Sequence, residues 1–233
     1  MVSSGRNESG EMDSTEIVDL KSGMIFSMAP LGRRTWCATG GLLDGLPIIC
    51  GGVYDNQIHS IAKDQSKFLG QLSVKRFGAA SVVLSNNTLW VTGGYDQSGN
   101  DLKSTEFVTK DGQTSQGPEL PWALSSHAIV PLNSGAFILI GGYGGDSSGT
   151  HFYQEKKGWS PGPNLKNGKL RHTAGVLTDR VSTKQYIVAV GGSWPANSSL
   201  EYLEYPGSND WIKGKPTHSS LDQLQLESHL FMF

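Results

Sequence analysis

An all-β fold made of repeated four-stranded units is what the sequence predicts, and three observations predict it. An apolar run ending in Gly-Gly recurs four times: Ile48-Ile49-Cys50-Gly51-Gly52, Leu89-Trp90-Val91-Thr92-Gly93-Gly94, Ile138-Leu139-Ile140-Gly141-Gly142 and Ile187-Val188-Ala189-Val190-Gly191-Gly192. The first glycines of these pairs stand 42, 48 and 50 residues apart, a period typical of repeat architectures. A second mark is a pair of positions six residues apart: Val18/Met24, Ala62/Phe68, Val108/Thr114, Tyr153/Trp159 and Tyr205/Trp211. The later position is large and apolar in four of the five units. Thirdly, no segment sustains a helical period over ten or more residues.

The elements of one unit follow in order. The first strand opens after a basic or serine position, as over residues 78–84. A hairpin tip such as Asn86-Asn87 or Asp44-Gly45 turns it back. The second strand ends in Gly-Gly, which fits a place where a side chain would block neighbouring backbone. A polar loop of variable length leads to the third strand (Ser104 to Val108), and a short gap to the fourth, which carries the large apolar slot. Val2-Ser3-Ser4-Gly5 reads as a degenerate fifth copy. Its sequel, Ser9-Gly10 then Ser14-Thr15-Glu16-Ile17-Val18, parallels Ser98-Gly99 then Ser104-Thr105-Glu106-Phe107-Val108. Residues 221–226 alternate like a strand. Four-stranded units repeated around an axis make a β-propeller.

Composition narrows the function classes. Of 233 residues 30 are glycine, about twice the usual share of roughly 7%. Lys and Arg total 19 against 21 Asp and Glu, a net charge of −2, so the basic footprint of a nucleic-acid binder is missing. No apolar run approaches the roughly 20 residues of a membrane span, and the start has no basic-then-apolar signal pattern. Neither a membrane nor a nucleic acid is therefore an expected partner, and a cytoplasmic location is favoured. The two cysteines cannot build a disulfide scaffold and lack zinc spacing. A two-residue turn at Asp44-Gly45 sets Cys37 opposite Gly52 and Cys50 opposite Thr39. Such diagonal neighbours lie roughly 7–8 Å apart, beyond disulfide reach, so both thiols are expected free. Sequons at Asn7, Asn86 and Asn197 are near chance frequency and do not decide a compartment.

Taken together, the Gly-Gly pairs after apolar runs and the Tyr and Trp six apart resemble the kelch repeat. The resemblance covers essentially the whole chain, residues 1–233, as a single kelch-repeat β-propeller domain. The first unit departs from the pattern by lacking the full glycine pair, and the Tyr/Trp pair is complete only in the last two units. Five blades closed by the C-terminal strand are expected. The tail Ser228-His229-Leu230-Phe231-Met232-Phe233 is similar to Ser126-His127-Ala128-Ile129-Val130, and would complete the blade begun at the N-terminus. A fragment of a six-bladed ring is the competing reading.

Strands one and two are antiparallel, so loops entering each unit and loops leaving Gly-Gly share one rim, which the resemblance implies is the binding surface. Its inner ring would hold Arg34, Arg76, Arg171, His127, His172 and His229, with Arg33, Lys75 and Lys169 nearby. Tyr54, Tyr95, Tyr143 and Trp194 follow the glycine pairs and could anchor a partner. Glu8, Glu11, Asp13, Asp55, Asp96, Asp101 and Asp146 would form an acidic collar. A basic centre within such a collar attracts a short acidic peptide. The alternative is that the arginines only bond blade backbone and the aromatics only pack between blades.

A non-enzymatic protein-interaction module, without catalytic residues, metal or cofactor, is the resulting expectation. Three histidines at equivalent strand starts lack a matching carboxylate, which favours channel lining over a metal site. One rival is a metal-dependent propeller enzyme of the galactose-oxidase or specifier type. Galactose oxidase chemistry needs a cysteine cross-linked to tyrosine, and here both cysteines lie in one hairpin. A secreted carbohydrate-binding propeller is the other rival. The stretch from Asp96 to Asp101 lacks the glycine and glutamate of a calcium loop, and neither a nucleophile elbow nor a phosphate loop occurs.

Overall fold

The computed structural model describes residues 2–19, 21–53, 55–132, 135–179, 182–192, 199–214 and 224–226. Among these the chain is all-β, without a helix, in five antiparallel sheets of the β-propeller blade type. No helix among them is long and apolar enough to cross a membrane. The chain divides into two compact units, the first running to Ser125 and the second beginning at Ser126.

In the first unit, blade 1 contains β1 (Val2–Asn7), β2 (Gly10–Val18) and β3 (Ile25–Ser27) in that spatial order. Blade 2 follows with β4 (Thr39–Leu43), β5 (Leu46–Cys50), β6 (Gln57–Ile61) and β7 (Ser66–Gln71). Blade 3 is built from β8 (Ala80–Val83), β9 (Leu89–Thr92), β10 (Thr105–Val108) and β11 (Thr114–Gln116). The Asp44-Gly45 tip has positive φ at both residues, 48° and 77°, as a tight hairpin of this twist requires. That turn sets Leu43 opposite Leu46 and Thr39 opposite Cys50. Both cysteines are free, and burial pushes the Cys50 thiol up to about 12.

The continuous apolar run of β5 has a packing reason. Ile48 and Cys50 point into one core with Leu43, Ile58, Leu89, Val91 and Val108. Ile49, on the opposite face, joins Leu31, Ala38 and Ile61 in another. A strand covered on both faces has no polar side to alternate with. Each fully buried Ile or Leu contributes roughly 1.5–3 kcal/mol to stability.

The second unit holds blade 4, with β12 (Ala128–Pro131), β13 (Phe137–Ile140), β14 (Thr150–Gln154) and β15 (Gly158–Pro161) in sequential order. Blade 5 adds β16 (Thr173–Asp179), β17 (Gln185–Val190), β18 (Leu200–Tyr205) and β19 (Ile212–Gly214). A further strand, β20 (Leu224–Leu226), pairs with β16 and makes this sheet five-stranded. One core runs through both blades, from Ile138 and Ile140 to Ile187, Ala189, Leu203 and Trp211.

The large apolar slot does not have one fate. Trp211 is fully buried, and its indole N–H donates to the Pro163 carbonyl at 2.8 Å. Met24 and Phe68, in the same slot, are 56% and 52% exposed. Connections to the outer strands use threonine. The hydroxyls of Thr105 and Thr150, at the starts of β10 and β14, donate to the carbonyls of Pro118 and Pro163 at 2.8 Å. The expected closing strand, residues 228–233 with His229, lies outside the described residues, as do Tyr54 and Trp194.

Candidate functional site

The glycine pairs are docking points for the loop that follows. In blade 2 the Gly52 N–H donates to the Arg76 carbonyl at 3.0 Å, and in blade 4 Gly142 does the same to Lys169 at 3.0 Å. The glycine before each has left-handed backbone, with φ of 64° at Gly51 and 58° at Gly141. A Cβ on Gly51 would stand 2.5 Å from the Arg76 carbonyl oxygen, and one on Gly141 2.5 Å from that of Lys169. Both sites thus need glycine for conformation and for space.

Backbone conformation fixes which loop residues correspond. Cys37, Gly78, Ser126 and Arg171 all have positive φ, between 50° and 61°, and each lies just before the first strand of its blade. Two residues earlier stand Thr35, Arg76, Leu124 and Lys169. The expectation that Arg34, Arg76 and Arg171 share one position is therefore corrected: they occupy three different ones, and Lys169 is the counterpart of Arg76.

Arg76 is an internal clamp. It is 1% exposed and donates to the carbonyls of Gly93 at 2.8 Å and Ser104 at 3.0 Å. It also meets the Ser104 hydroxyl at 3.2 Å and the Glu106 carboxylate at 2.7 Å. Glu106 in turn accepts the Ser73 N–H at 2.7 Å. Lys169 repeats the arrangement, donating to the Gly191 carbonyl at 3.3 Å, the Ser199 carbonyl at 3.0 Å and the Ser199 hydroxyl at 2.9 Å. Its acid is Glu201, 3.8 Å away, which accepts the N–H groups of Lys166 at 2.6 Å and Asn167 at 3.1 Å. In blade 2, Arg33 reaches the same place from a neighbouring position, bonding the Gly51 carbonyl at 2.9 Å and pairing with Asp55.

A strand ending in two glycines leaves carbonyls facing no strand, and buried carbonyls need donors. One cation answers by tying the glycine carbonyl to the entry of the third strand. Burial lowers the pKa of Arg76, Arg33 and Lys169, while their acids oppose the shift. Arg76 is consequently unavailable to a partner, against the expectation that placed it on the rim. Sequence reasoning missed the two glutamates, although a signal existed: Ser-x-Glu opens the third strand at Ser104–Glu106 and again at Ser199–Glu201. In register with these acids stand His59 and His151, opposite Ile49 and Leu139.

His127 and His172 are equivalent, each directly after a left-handed residue, Ser126 or Arg171. The matching positions in the first unit are Ala38 and Ala79. Burial pushes His127 down to about 4. His172 falls to about 3 through burial, with the charges of Lys169 and His127 adding. Both imidazoles are neutral near pH 7. Among the described residues no group of three or more His, Cys, Asp or Glu is placed to hold a metal ion.

The exposed cations are the neighbours of the buried ones. Arg34 and Lys75 in the first unit are exposed and make no ion pair among the described residues. Arg6, also exposed, lies over the Trp36 ring at 5.8 Å. The Gly5 N–H bonds the Thr35 carbonyl at 3.0 Å, and Gly78 bonds that of Cys37 at 3.0 Å, so these loops form one surface. Tyr95 packs on Phe77 with ring centroids 5.1 Å apart. In the second unit Arg171 is exposed and Tyr143 is 55% exposed.

Three members of the acidic collar are engaged within their own loops or by a neighbouring cation. Asp96 accepts the N–H groups of Ser98 at 2.8 Å and Asn100 at 2.9 Å, and these bonds, Asn100 first, lower its pKa. Asp146 accepts both the N–H and the hydroxyl of Ser148, at 2.9 and 2.7 Å. Asp55 is taken up by Arg33.

Comparison with solved structures agrees with this architecture. The structure of YjhT superposes with a TM-score of 0.69 over 89% of this chain and 84% of that chain, at 14% sequence identity. At that identity the likeness concerns the fold alone. No family model matches the chain, and no curated protein is similar to it in sequence.

Proposed function

We propose that the chain is a kelch-type repeat protein acting as a non-enzymatic protein-interaction module, whose first unit accepts an acidic peptide segment. The kelch reading is supported by the four Gly-Gly repeats, each placed at the end of a second strand. One observation carries the binding reading. At two successive loop entries a cation turns inward and is neutralised, Arg33 by Asp55 and Arg76 by Glu106, while its chain neighbour stays exposed and unpaired among the described residues. Arg34 and Lys75 then present positive charge on loops whose positions the buried clamps hold rigid. Arg6 and Trp36 extend the surface with a cation and an aromatic face, the residue types that anchor interfaces. Rigid loops reduce the entropy lost when a partner binds.

The test is fluorescence anisotropy with a labelled Glu-rich peptide. The double variant Arg34→Ala/Lys75→Ala is expected to weaken binding at least about tenfold, the equivalent of roughly 1.4 kcal/mol, with an unchanged melting temperature. Equal affinity in the variant would sink the acidic-peptide reading.

A further inference from the structure

The outer edge of blade 1 differs from the edges of the other blades. Its last strand, β3, is exposed along its whole length, with Met24 56%, Ile25 61% and Phe26 48% exposed. Among the described residues β3 pairs only with β2. The ladder fixes which backbone groups are already used. Asp19 donates its N–H to the Met24 carbonyl at 2.9 Å, and Met28 donates to that of Thr15 at 2.8 Å. Both bonds continue the register in which Phe26 faces Ile17. Bonded and non-bonded pairs alternate along antiparallel strands, so Phe26 also bonds β2, while Ile25 and Ser27 turn N–H and C=O outward. The other outer strands are guarded as edges usually are, by charge, proline or polarity. Lys67 stands on β7 and Lys213 on β19, β15 ends in Pro161, and β11 is the wholly polar Thr114-Ser115-Gln116. Strand β3 has no such guard, and no charged residue stands between Lys21 and Arg33.

We infer that β3 is the contact strand of a two-fold homodimer, pairing antiparallel with β3 of a second copy of this chain about an axis through Phe26. In that register Ile25 stands opposite Ser27 of the second copy, and the outward groups of both pairs close into hydrogen bonds. Phe26 meets its own copy at the non-hydrogen-bonded position, where Cα atoms approach to about 4.5 Å. Met24 lies opposite Met28 of the second copy and flanks the rings with a thioether, a favourable contact. A register centred on Ile25 would set Ser27 opposite Gly23, whose N–H is already given to the Asp19 carbonyl at 2.7 Å. Charge favours a second copy as the occupant. A two-fold axis brings the side chain on it against itself, which a phenylalanine accepts and a charged residue does not. The Glu16 carboxylates of the two copies, on the strands behind, stay three strand spacings apart, about 14 Å, beyond the Debye length of about 8–10 Å. Three apolar side chains and one short strand per copy bury less than the roughly 800 Å² that each partner gives to a stable interface. The dimer is therefore weak and forms only as concentration rises.

Sedimentation velocity on the full chain, from about 5 to about 500 μM, tests the assignment, since a weak pair becomes visible only near its dissociation constant. The sedimentation coefficient should rise toward that of a dimer across this range. Phe26→Lys should stay monomeric throughout, because it sets lysine against lysine on the axis. Its melting temperature should be unchanged, since the side chain is half exposed. Ser27→Pro removes an outward N–H and no bond to β2, and should raise the dissociation constant at least about tenfold. Mixing Phe26→Lys with Phe26→Glu should restore association, as opposite charges then meet. A wild-type chain that remains monomeric at the highest concentration overturns the proposal, as does dimerisation that survives undiminished in Phe26→Lys. The Arg34→Ala/Lys75→Ala variant should associate like the wild type, which separates this edge from the peptide surface.

Discussion

Arg76 and Arg34 are both loop arginines and have opposite fates. Arg76 is locked against Gly93, Ser104 and Glu106, whereas Arg34 is exposed. Removing one member of a buried pair strands the other charge and costs about 3–5 kcal/mol. Arg76→Ala should therefore lower the unfolding free energy by that amount, while Arg34→Ala should leave it in place; equal effects in chemical denaturation would contradict the clamp. The buried histidines give a second residue-level prediction. Their folded pKa values, about 4 for His127 and about 3 for His172, lie below the ordinary 6.5. The unfolded chain then takes up protons that the folded chain refuses. Stability is complete above about pH 6.5 and is lost as pH falls from there toward 4 and 3, at about 1.4 kcal/mol per unit for each histidine. The corresponding positions of the first unit already carry alanine, Ala38 and Ala79. His127→Ala and His172→Ala should accordingly flatten the acid limb of a melting-temperature profile. An unchanged limb in both variants would refute this cause.

At the scale of elements, each second strand ends where the next loop must approach its backbone. That approach makes the glycine pair necessary. Gly141→Ala would place a methyl group 2.5 Å from the Lys169 carbonyl oxygen at a φ of 58°. Left-handed backbone alone costs a non-glycine residue about 1–2 kcal/mol, so a total near 2–4 kcal/mol is expected in urea denaturation. A loss under about 0.5 kcal/mol would show that the loop can move aside. The strand starts and hairpin tips were legible in sequence because turn chemistry is local, as at Asp44-Gly45. The loop correspondence was not legible. Aligning Arg34, Arg76 and Arg171 by residue type ignored backbone conformation, and positive φ at Cys37, Gly78, Ser126 and Arg171 sets the true register.

For the molecule as a whole, a net charge of −2 coexists with exposed positive loops in the first unit. Attraction through such a patch is screened over a Debye length of about 8–10 Å at physiological salt. Affinity for the acidic peptide should thus fall steadily as salt rises, whereas the buried Arg76–Glu106 and Lys169–Glu201 clamps should hold the melting temperature nearly constant. Salt-independent binding would exclude the charged loops as its source. The sequence by itself determined the all-β class, the blade period and the strand ends, because alternation, turn residues and glycine pairs act within a few positions of where they stand. Which cations face solvent was decided only by the tertiary structure. Arg33 and Arg34 are adjacent in the chain and chemically identical, and what separates them is a carboxylate and two carbonyls brought in from residues 51–57.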